Sequence, residues 1–277
     1  QAEYMAYFVA DGAVTLYHDN SVRFTTTATG IDVTGTVNGI PFFSDVTNNS
    51  MYTHDVSGTD STAQYNTAYG FTAMDAISSG DNNTAIGFQA GSAINGGHQN
   101  TLVGSLAGDA ITTGEKNVAL GYSALTTSVD GDYNTAIGYR ALEDYEDGDS
   151  NGHNTAVGSQ SQLNATTGEH NTSLGSLSMG SGVLTGDYAG YNLTSGSTNT
   201  LIGQEAGDAL TGGADNVAIG FRSLSTEQGY GKNVAIGREA LEVLNAGADG
   251  YNVAVGYQAG HAVTTGVRNT LIGGTAG

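Results

Sequence analysis

The pentapeptide Asn83-Thr84-Ala85-Ile86-Gly87 decides the fold of this chain, because close variants of it return at a nearly fixed interval. The pattern is Asn, then Thr or Val, a small residue, an aliphatic residue and Gly. It starts at Asn66 (with Tyr69 in the aliphatic place), Asn83, Asn100, Asn117, Asn134, Asn154, Asn171, Asn199, Asn216, Asn233, Asn252 and Asn269. Most steps are 17 residues, and the period resumes at Asn199 after a shortened rung that begins at Asn171 and its degenerate successor at 182–186.

A repeat this short is typical of a solenoid, in which each unit buries its apolar side only by stacking on its neighbours. We therefore predict an all-β protein whose residues 62–277 form a parallel β-roll or β-solenoid of about 13 short rungs. At about 4.8 Å per rung, the rod would be on the order of 60 Å long.

The positions within a rung, counted from Asn as position 1, predict distinct roles. We expect the aliphatic residue at position 4 to face the interior and Gly at position 5 to form a corner. Ala at position 8 indicates a tight interior or a close subunit contact. A second Gly just before the next Asn marks another corner, so each rung should have two corners and two short strands. The Asn column should form a ladder of amide hydrogen bonds up the rod.

Composition supports this fold and excludes some functions. Gly accounts for 43 of 277 residues, Pro for one, and charged residues for 12%. Such a chain is rich in turns and poor in helix formers. The 27 acidic and 7 basic residues give a net charge of −20, which argues against nucleic acid as a partner. The acidic surface suits a salty, extracellular medium. No apolar run approaches the length of about 18 residues that membrane insertion needs.

Residues 1–61 do not carry the repeat, and we interpret them as a shaft-like β segment followed by a polar linker at 45–61. Segments 13–17, 22–26 and 31–37 are rich in β-branched and aromatic residues, as strands are. Three short strands cannot build a core, so we expect this segment to depend on partner chains. The sequence stops at Gly277, nine residues into a rung, and we expect it to be a piece of something longer.

The interior of a single rod would be thin. Burying one aliphatic side chain stabilises a protein by about 1.5–3 kcal/mol, whereas ordering each residue of a rung costs about 1–2 kcal/mol in backbone entropy. A lone rod is therefore marginal, and association of several copies along the rod axis is the natural remedy.

The order Asn-Thr-Ala-Ile-Gly-(Tyr/Phe)-Gln-Ala, followed by Thr-Thr-Gly, resembles the head repeats of bacteriophage tail fibres, especially fibres that end in an endosialidase-type intramolecular chaperone. It is also similar to the β-roll heads of trimeric autotransporter adhesins. Segments 8–20 and 30–37 resemble the shaft-to-head stretch of marine phage fibres. Together these resemblances cover most of the chain.

The resemblance implies a homotrimer with a left-handed parallel β-roll head that takes part in host attachment. Its partners would be a host cell-surface receptor, either a glycan or an outer-membrane component, and other tail fibre proteins. The location would be the tail fibre of a virion. The alternative is a trimeric adhesin head on a bacterial cell surface.

Candidate receptor-binding residues are the aromatic residues that follow the corner Gly, together with Tyr145 in the longest rung. The column at position 6 consists of Phe71, Phe88, Tyr122, Tyr139, Phe221 and Tyr257. Two interpretations stay open: the rings stack on sugars of a host glycan, or they pack at a subunit interface.

The acidic insertion in the longest rung contains Asp147, Asp149 and Asn151, which match the first half of a calcium-binding loop. Gly158 stands where the loop would need a bidentate Glu, so the sequence favours a solvated acidic loop, with structural Ca²⁺ as the alternative. His98, His153 and His170 are interpreted as surface turn residues.

No sequence pattern indicates catalysis, since the chain has no nucleophile elbow, P-loop or dinucleotide fingerprint. We expect no enzyme activity and no cofactor. One alternative is a tailspike-like glycan depolymerase, which would need a carboxylate pair in a groove between subunits. Another is an ice-binding solenoid, suggested by a column of Thr at position 2 that Val118, Val217, Val234 and Val253 interrupt.

Overall fold

The computed structural model describes residues 5–9, 12–19, 21–27, 30–33, 36–37, 40–41, 43–45, 50–53, 62–146, 152–175, 189–190 and 192–277. All regular structure in these residues is β, and it forms three sheets. The predicted all-β class is confirmed.

The N-terminal strands form two small antiparallel sheets. The first sheet has the order β1 (Ala6–Phe8), β2 (Val14–His18), β3 (Ser21–Thr27) and β4 (Gly30–Val33). The second pairs β5 (Thr36–Val37) with β6 (Ile40–Pro41). Strands β2, β3 and β4 lie where the β-branched runs predicted strands. Asp19, in the tight connection between β2 and β3, has a positive φ of 49°, which Asp tolerates better than most residues do.

The third sheet has fourteen strands in chain order and contains the repeat. It begins with β7 (Phe43–Asp45), which pairs antiparallel with β8 (Ser50–Tyr52). The remaining twelve strands are the central three residues of successive pentapeptides: β9 (Thr67–Tyr69), β10 (Thr84–Ile86), β11 (Thr101–Val103), β12 (Val118–Leu120), β13 (Thr135–Ile137), β14 (Thr155–Val157), β15 (Thr172–Leu174), β16 (Thr200–Ile202), β17 (Val217–Ile219), β18 (Val234–Ile236), β19 (Val253–Val255) and β20 (Thr270–Ile272).

Every consecutive pair from β8 to β20 is parallel and keeps equivalent residues opposite each other. Thr84 pairs with Thr101, and Ala85 pairs with Leu102. The same register holds across the insertion after β13 and across the long connection between β15 and β16. This arrangement is the predicted β-solenoid. The sheet also continues N-terminally beyond residue 62, because β8 pairs with β9.

The Asn column forms the predicted ladder inside the rod. The backbone N–H of Asn100 donates to Oδ1 of Asn83 at 2.9 Å, and Nδ2 of Asn100 donates to the carbonyl of Gly114 at 2.8 Å. The N–H to Oδ1 bond recurs without a break from Asn66 to Asn269. The ladder is therefore mainly side chain to backbone, with amide-to-amide bonds at only some steps.

The Gly at position 5 is required by close stacking as well as by backbone conformation. Gly87 has a φ of 141°, which side chains rarely allow. A Cβ added to Gly87 would also lie only 2.4 Å from the carbonyl oxygen of Gly104 in the next rung. The predicted corner is confirmed, and a larger residue here would separate the rungs.

The prediction of a second strand in each rung is wrong, because a run of turns takes its place. In residues 87–94 the chain makes consecutive four-residue turns, such as the one closed by the N–H of Ile94 and the carbonyl of Gly91 at 3.1 Å. Gln89 and Gly91 have φ values of 55° and 56°, as the third residue of a type II turn requires. The N–H of Gly91 donates to the carbonyl of Ala107 in the next rung at 2.9 Å, so the turns are also joined along the rod.

The core contains Ala from positions 3 and 8 and larger side chains from position 12, all fully buried. The position 12 group includes Ile77, Ile94, Ile111, Tyr145, Leu210 and Leu244. The expectation that position 4 faces the interior is wrong: Ala85 is buried, whereas Ile86 is 41% exposed. Since side chains alternate along a strand, burying Ile86 would also bury the Thr84 hydroxyl. Position 3 is therefore the inward-facing position, and it holds Ala in most rungs and a fully buried Leu at Leu102 and Leu201.

A polar contact interrupts the core near the middle of the rod. The buried apolar residues form two clusters, one ending at Ala165 and one beginning at Ala189. Between them Ser161 Oγ donates to Ser173 Oγ at 2.8 Å, and Ser173 Oγ donates to the Ala189 carbonyl at 2.9 Å. Gln162 is also fully buried, and its Oε1 has no hydrogen-bond partner among the described residues.

Replacing Asn117 by Ala should destabilise the rod. The change leaves the buried Asn134 N–H and the Gly131 carbonyl without their partners, and each buried orphan group costs about 1–3 kcal/mol. We expect the free energy of unfolding in urea to fall by about 2–5 kcal/mol. The matched control is Asn95→Ala, at an exposed Asn outside the ladder; equal losses for both variants would contradict a structural role for the ladder.

Replacing Gln162 by Leu should stabilise the rod. Leu occupies the same rung position at Leu125, Leu142, Leu224 and Leu241, and the change removes a buried oxygen that has no hydrogen-bond partner among the described residues. The lost bond from Gln162 Nε2 to the Thr155 carbonyl is long, at 3.2 Å. We expect a gain of about 1 kcal/mol, seen as a higher midpoint in thermal unfolding. A lower midpoint would show that the polar contact contributes to stability.

Candidate interaction surface

The outer face of the rung sheet carries an aliphatic column, defined as the position 4 residues of β9 to β20. Its members are Tyr69, Ile86, Val103, Leu120, Ile137, Val157, Leu174, Ile202, Ile219, Ile236, Val255 and Ile272. None of them is buried, and Leu120 and Leu174 are 48% and 47% exposed. Across twelve strands at about 4.8 Å spacing, the column is roughly 50 Å long.

The position 2 residues form a Thr/Val column beside the aliphatic column, because residues two apart on a strand share a face. Thr84, Val118 and their equivalents are half-buried or exposed. The residues between the two columns point inward. None of the three-residue strands β9 to β20 contains a charged residue, so this face is uncharged on a chain of net charge −20.

The aromatic column at position 6 lies next to the aliphatic column along the chain. Phe71, Phe88, Tyr122, Tyr139 and Tyr257 are exposed, and Phe221 is half-buried. The rings of Phe71 and Phe88 are stacked, with centroids 6.2 Å apart, as are those of Tyr122 and Tyr139 at 5.6 Å. Arg238 lies over the ring of Phe221, 5.3 Å from its centroid. The stacking covers the ring faces that the paired rings turn toward each other.

A second ring stack lies at the exposed corner just before the Asn column. Tyr133, His153 and His170 are on successive rungs, with ring centroids 4.7 Å and 5.0 Å apart. Lys116 Nζ lies 4.6 Å from the Tyr133 centroid at one end of the stack. His153 and His170 are exposed turn residues, as their place in the repeat predicted. His98 differs, because its Nδ1 accepts the N–H of Asp81 at 2.9 Å.

The prediction that Tyr145 binds a receptor is wrong. Its side chain is fully buried, because Tyr145 stands at position 12, where other rungs place Ile or Leu in the core. A receptor cannot reach a ring that is enclosed by the rod. The three predicted calcium ligands, Asp147, Asp149 and Asn151, lie outside the described residues.

Among the described acidic groups, the carboxyl group of Asp208 has the most clearly shifted pKa. Burial, reinforced by the nearby charge of Glu205, raises the pKa of Asp208 to about 7, although Arg222 opposes the shift. Its Oδ1 has no hydrogen-bond partner among the described residues. Asp109, at the same position of an earlier rung, also has a pKa raised by burial.

None of the family models, curated proteins and solved structures compared with the chain matches it. In the part of the chain that the structure describes, no helix is long and apolar enough to span a membrane.

Sequence reasoning missed the aliphatic column, which is the most extensive feature of this surface. The signal was available in the pentapeptide, because Thr84 and Ile86 must share one face of a strand and Ala85 the other. Position numbering would also have placed Tyr145 in the core, since it stands twelfth from Asn134 as Ile94 does from Asn83.

Replacing Asp208 by Asn should stabilise the protein in a pH-dependent way. A folded-state pKa of about 7, against about 3.9 in the unfolded chain, means that the folded state holds the proton more tightly. Asp208 therefore lowers stability as pH rises between these values. We expect the gain in thermal midpoint from Asp208→Asn to grow from about pH 5 to pH 7 and then level off.

The matched control for this measurement is Asp215→Asn, at an exposed Asp later in the same rung. A gain from Asp208→Asn that does not change with pH would contradict the assigned pKa.

Proposed function

We propose that this chain is the trimeric head of a bacteriophage tail fibre, with a structural role and a role in attaching the virion to its host. The proposal rests on the β-solenoid, on the resemblance of its repeats to fibre heads, and on the uncharged outer face. It includes no catalytic step and no cofactor. A trimeric adhesin head on a bacterial cell surface would use the same face in the same way.

The observation that carries the proposal is the aliphatic column. It leaves a continuous apolar stripe on the outside of a rod whose own core is mostly Ala. Large exposed apolar stripes on soluble proteins mark association surfaces, and their burial is favourable by about 25 cal/mol per Å². Covering the stripe therefore supplies stabilisation that the thin interior lacks.

Two further copies of the chain are the occupants that fit this face best. A copy has a stripe of the same length and the same rung spacing, so that contacts repeat along the whole rod. It also brings no charge to the contact, because the strands β9 to β20 contain none. Closed symmetric association of this kind is the usual form of homo-oligomers.

In this arrangement the corners on the other sides of the rod stay accessible to a host receptor. The ring stack of Tyr133, His153 and His170 belongs to such a corner. Phe88, Tyr122 and Tyr139 border the subunit contact, where we assign them mainly to packing. The proposed receptor is a surface glycan or an outer-membrane component.

Introducing Asp at Ile86 and Leu120 together should convert the trimer into monomers. Both side chains are exposed in a single chain, so the carboxylates are solvated in the monomer but would be desolvated in the assembly. Size-exclusion chromatography with light scattering should give about three times the 28.1 kDa chain mass for the wild type and one chain mass for the variant. Circular dichroism checks that the variant is folded.

The matched control is Val267→Asp, an exposed aliphatic residue outside the column, which should remain trimeric. A wild-type chain that is a stable monomer at micromolar concentration would overturn the trimer proposal. Attachment is tested separately with labelled wild-type protein on a panel of bacteria, where saturable binding competed by surface polysaccharide or outer-membrane extract is expected. Lack of saturable binding to every strain would contradict the receptor role.

Ice binding is a second candidate because the Thr/Val column lies on the outside of a regular sheet. It requires the same face to be open to water, so the two functions exclude each other there. A monomeric wild-type protein that shows thermal hysteresis would replace the fibre proposal.

A further inference from the structure

A cluster of charged side chains on the last rungs brings together three groups that can bind a metal. Glu239 and Glu242 belong to the rung of Asn233, and His261 belongs to the next rung. One ligand atom from each residue lies within 4.8 Å of the others. Glu239 and Glu242 are 9% and 7% exposed, while the His261 side chain is 43% exposed. The cluster is thus enclosed on its carboxylate side and open to solvent on its imidazole side.

Each carboxylate is held at one oxygen by an arginine. Arg238 Nη2 contacts Glu239 Oε1 at 2.9 Å, and Arg222 Nη1 contacts Glu242 Oε1 at 2.8 Å. The second oxygen of Glu242, Oε2, lies 2.7 Å from His261 Nε2. The second oxygen of Glu239, Oε2, accepts a hydrogen bond from the neutral amide of Gln258 at 2.6 Å. One oxygen of each carboxylate is therefore fixed, and the other is held only by a group that an ion can displace.

We propose that Glu239, Glu242 and His261 form a binding site for a divalent cation of the zinc class. Two carboxylate oxygens and one imidazole nitrogen are a donor set that Zn²⁺ accepts, with a fourth position left for water. The cation would lie between His261 Nε2 and Glu242 Oε2 and replace their direct contact of 2.7 Å. Arg222 and Arg238 act as positioning residues, because hydrogen bonds to the outer oxygen orient a ligating carboxylate.

The surrounding charges favour a cation at this place. Arg222 Nε also contacts Glu205 Oε2 at 2.8 Å, so Arg222 keeps a partner when Glu242 turns toward a metal. Glu205, Glu239 and Glu242 together outnumber Arg222 and Arg238 by one negative charge when His261 is neutral. Burial strengthens the attraction between that residual charge and a divalent ion.

The site connects two rungs, and this gives it a structural consequence. Glu239 and Glu242 stand at positions 7 and 10 of one rung, and His261 at position 10 of the next. An ion bound to all three would join these rungs through side chains, beside the backbone ladder. Since the ion binds only the folded arrangement, it should raise the thermal midpoint with its concentration.

The test is a Zn²⁺ titration of the untagged wild-type trimer or monomer, after chelator treatment, by calorimetry and by thermal unfolding. We expect one saturable site per chain, and Co²⁺ should give the absorption bands of a nitrogen and oxygen site. His261→Gln should weaken Zn²⁺ binding by at least about tenfold. The exposed His261 side chain can be replaced without disturbing the core, so this variant should remain folded.

The matched control is His170→Gln, an exposed His outside the cluster whose nearest carboxylate, that of Glu169, lies 3.8 Å away. It should bind Zn²⁺ as the wild type does. Glu239→Gln provides an independent check and should also lose affinity. No saturable Zn²⁺ binding by the wild type, or equal binding by His261→Gln, would overturn the proposal. The oligomeric state, measured in the same samples, does not decide this outcome.

Discussion

The hydrogen-bonded Asn ladder is the constraint on which the rest of the structure depends. Each Asn side chain from Asn66 to Asn252 accepts the backbone N–H of the next Asn, and most of them also donate to the Gly carbonyl that closes a corner. One residue type therefore fixes both the distance between rungs and the position of the corner. Because the bonds are buried, a slip by one residue would leave many polar groups without partners. The ladder holds the register even where the connection between β15 and β16 is long.

The same constraint accounts for what the rod shows on its surface. The ladder keeps equivalent residues in register, and side chains alternate along each three-residue strand, so that position 3 faces the interior and positions 2 and 4 face outward. The aliphatic residues at position 4, Ile86 among them, therefore form one outward column. Three surface features occupy different positions of the repeat: the aliphatic column, the rings at the corner, and the charged cluster of the last rungs. Each of them can therefore vary without disturbing the ladder.

Much of the fold could be predicted because the period, the invariant Gly87 equivalents and the Asn column act at every rung. The orientation of Ile86 could not be read from apolarity alone; the alternation of the strand, which puts Ile86 on the same face as the Thr84 hydroxyl, was the signal that places it outward. The run of turns was missed because the positive φ at Gln89, a non-Gly residue, leaves no pattern in the sequence. The Glu239, Glu242 and His261 cluster was missed because His261 belongs to the next rung and meets the two Glu residues only after stacking.

Hydrogen exchange of the wild-type protein, followed for individual backbone amides by NMR, tests the central claim most directly. The account predicts that the N–H groups of Asn83 to Asn252 exchange most slowly, with similar protection on every rung, while amides of the exposed corners exchange much faster. If the Asn amides exchange as rapidly as those corner amides, the ladder does not hold the rungs together and the account is wrong.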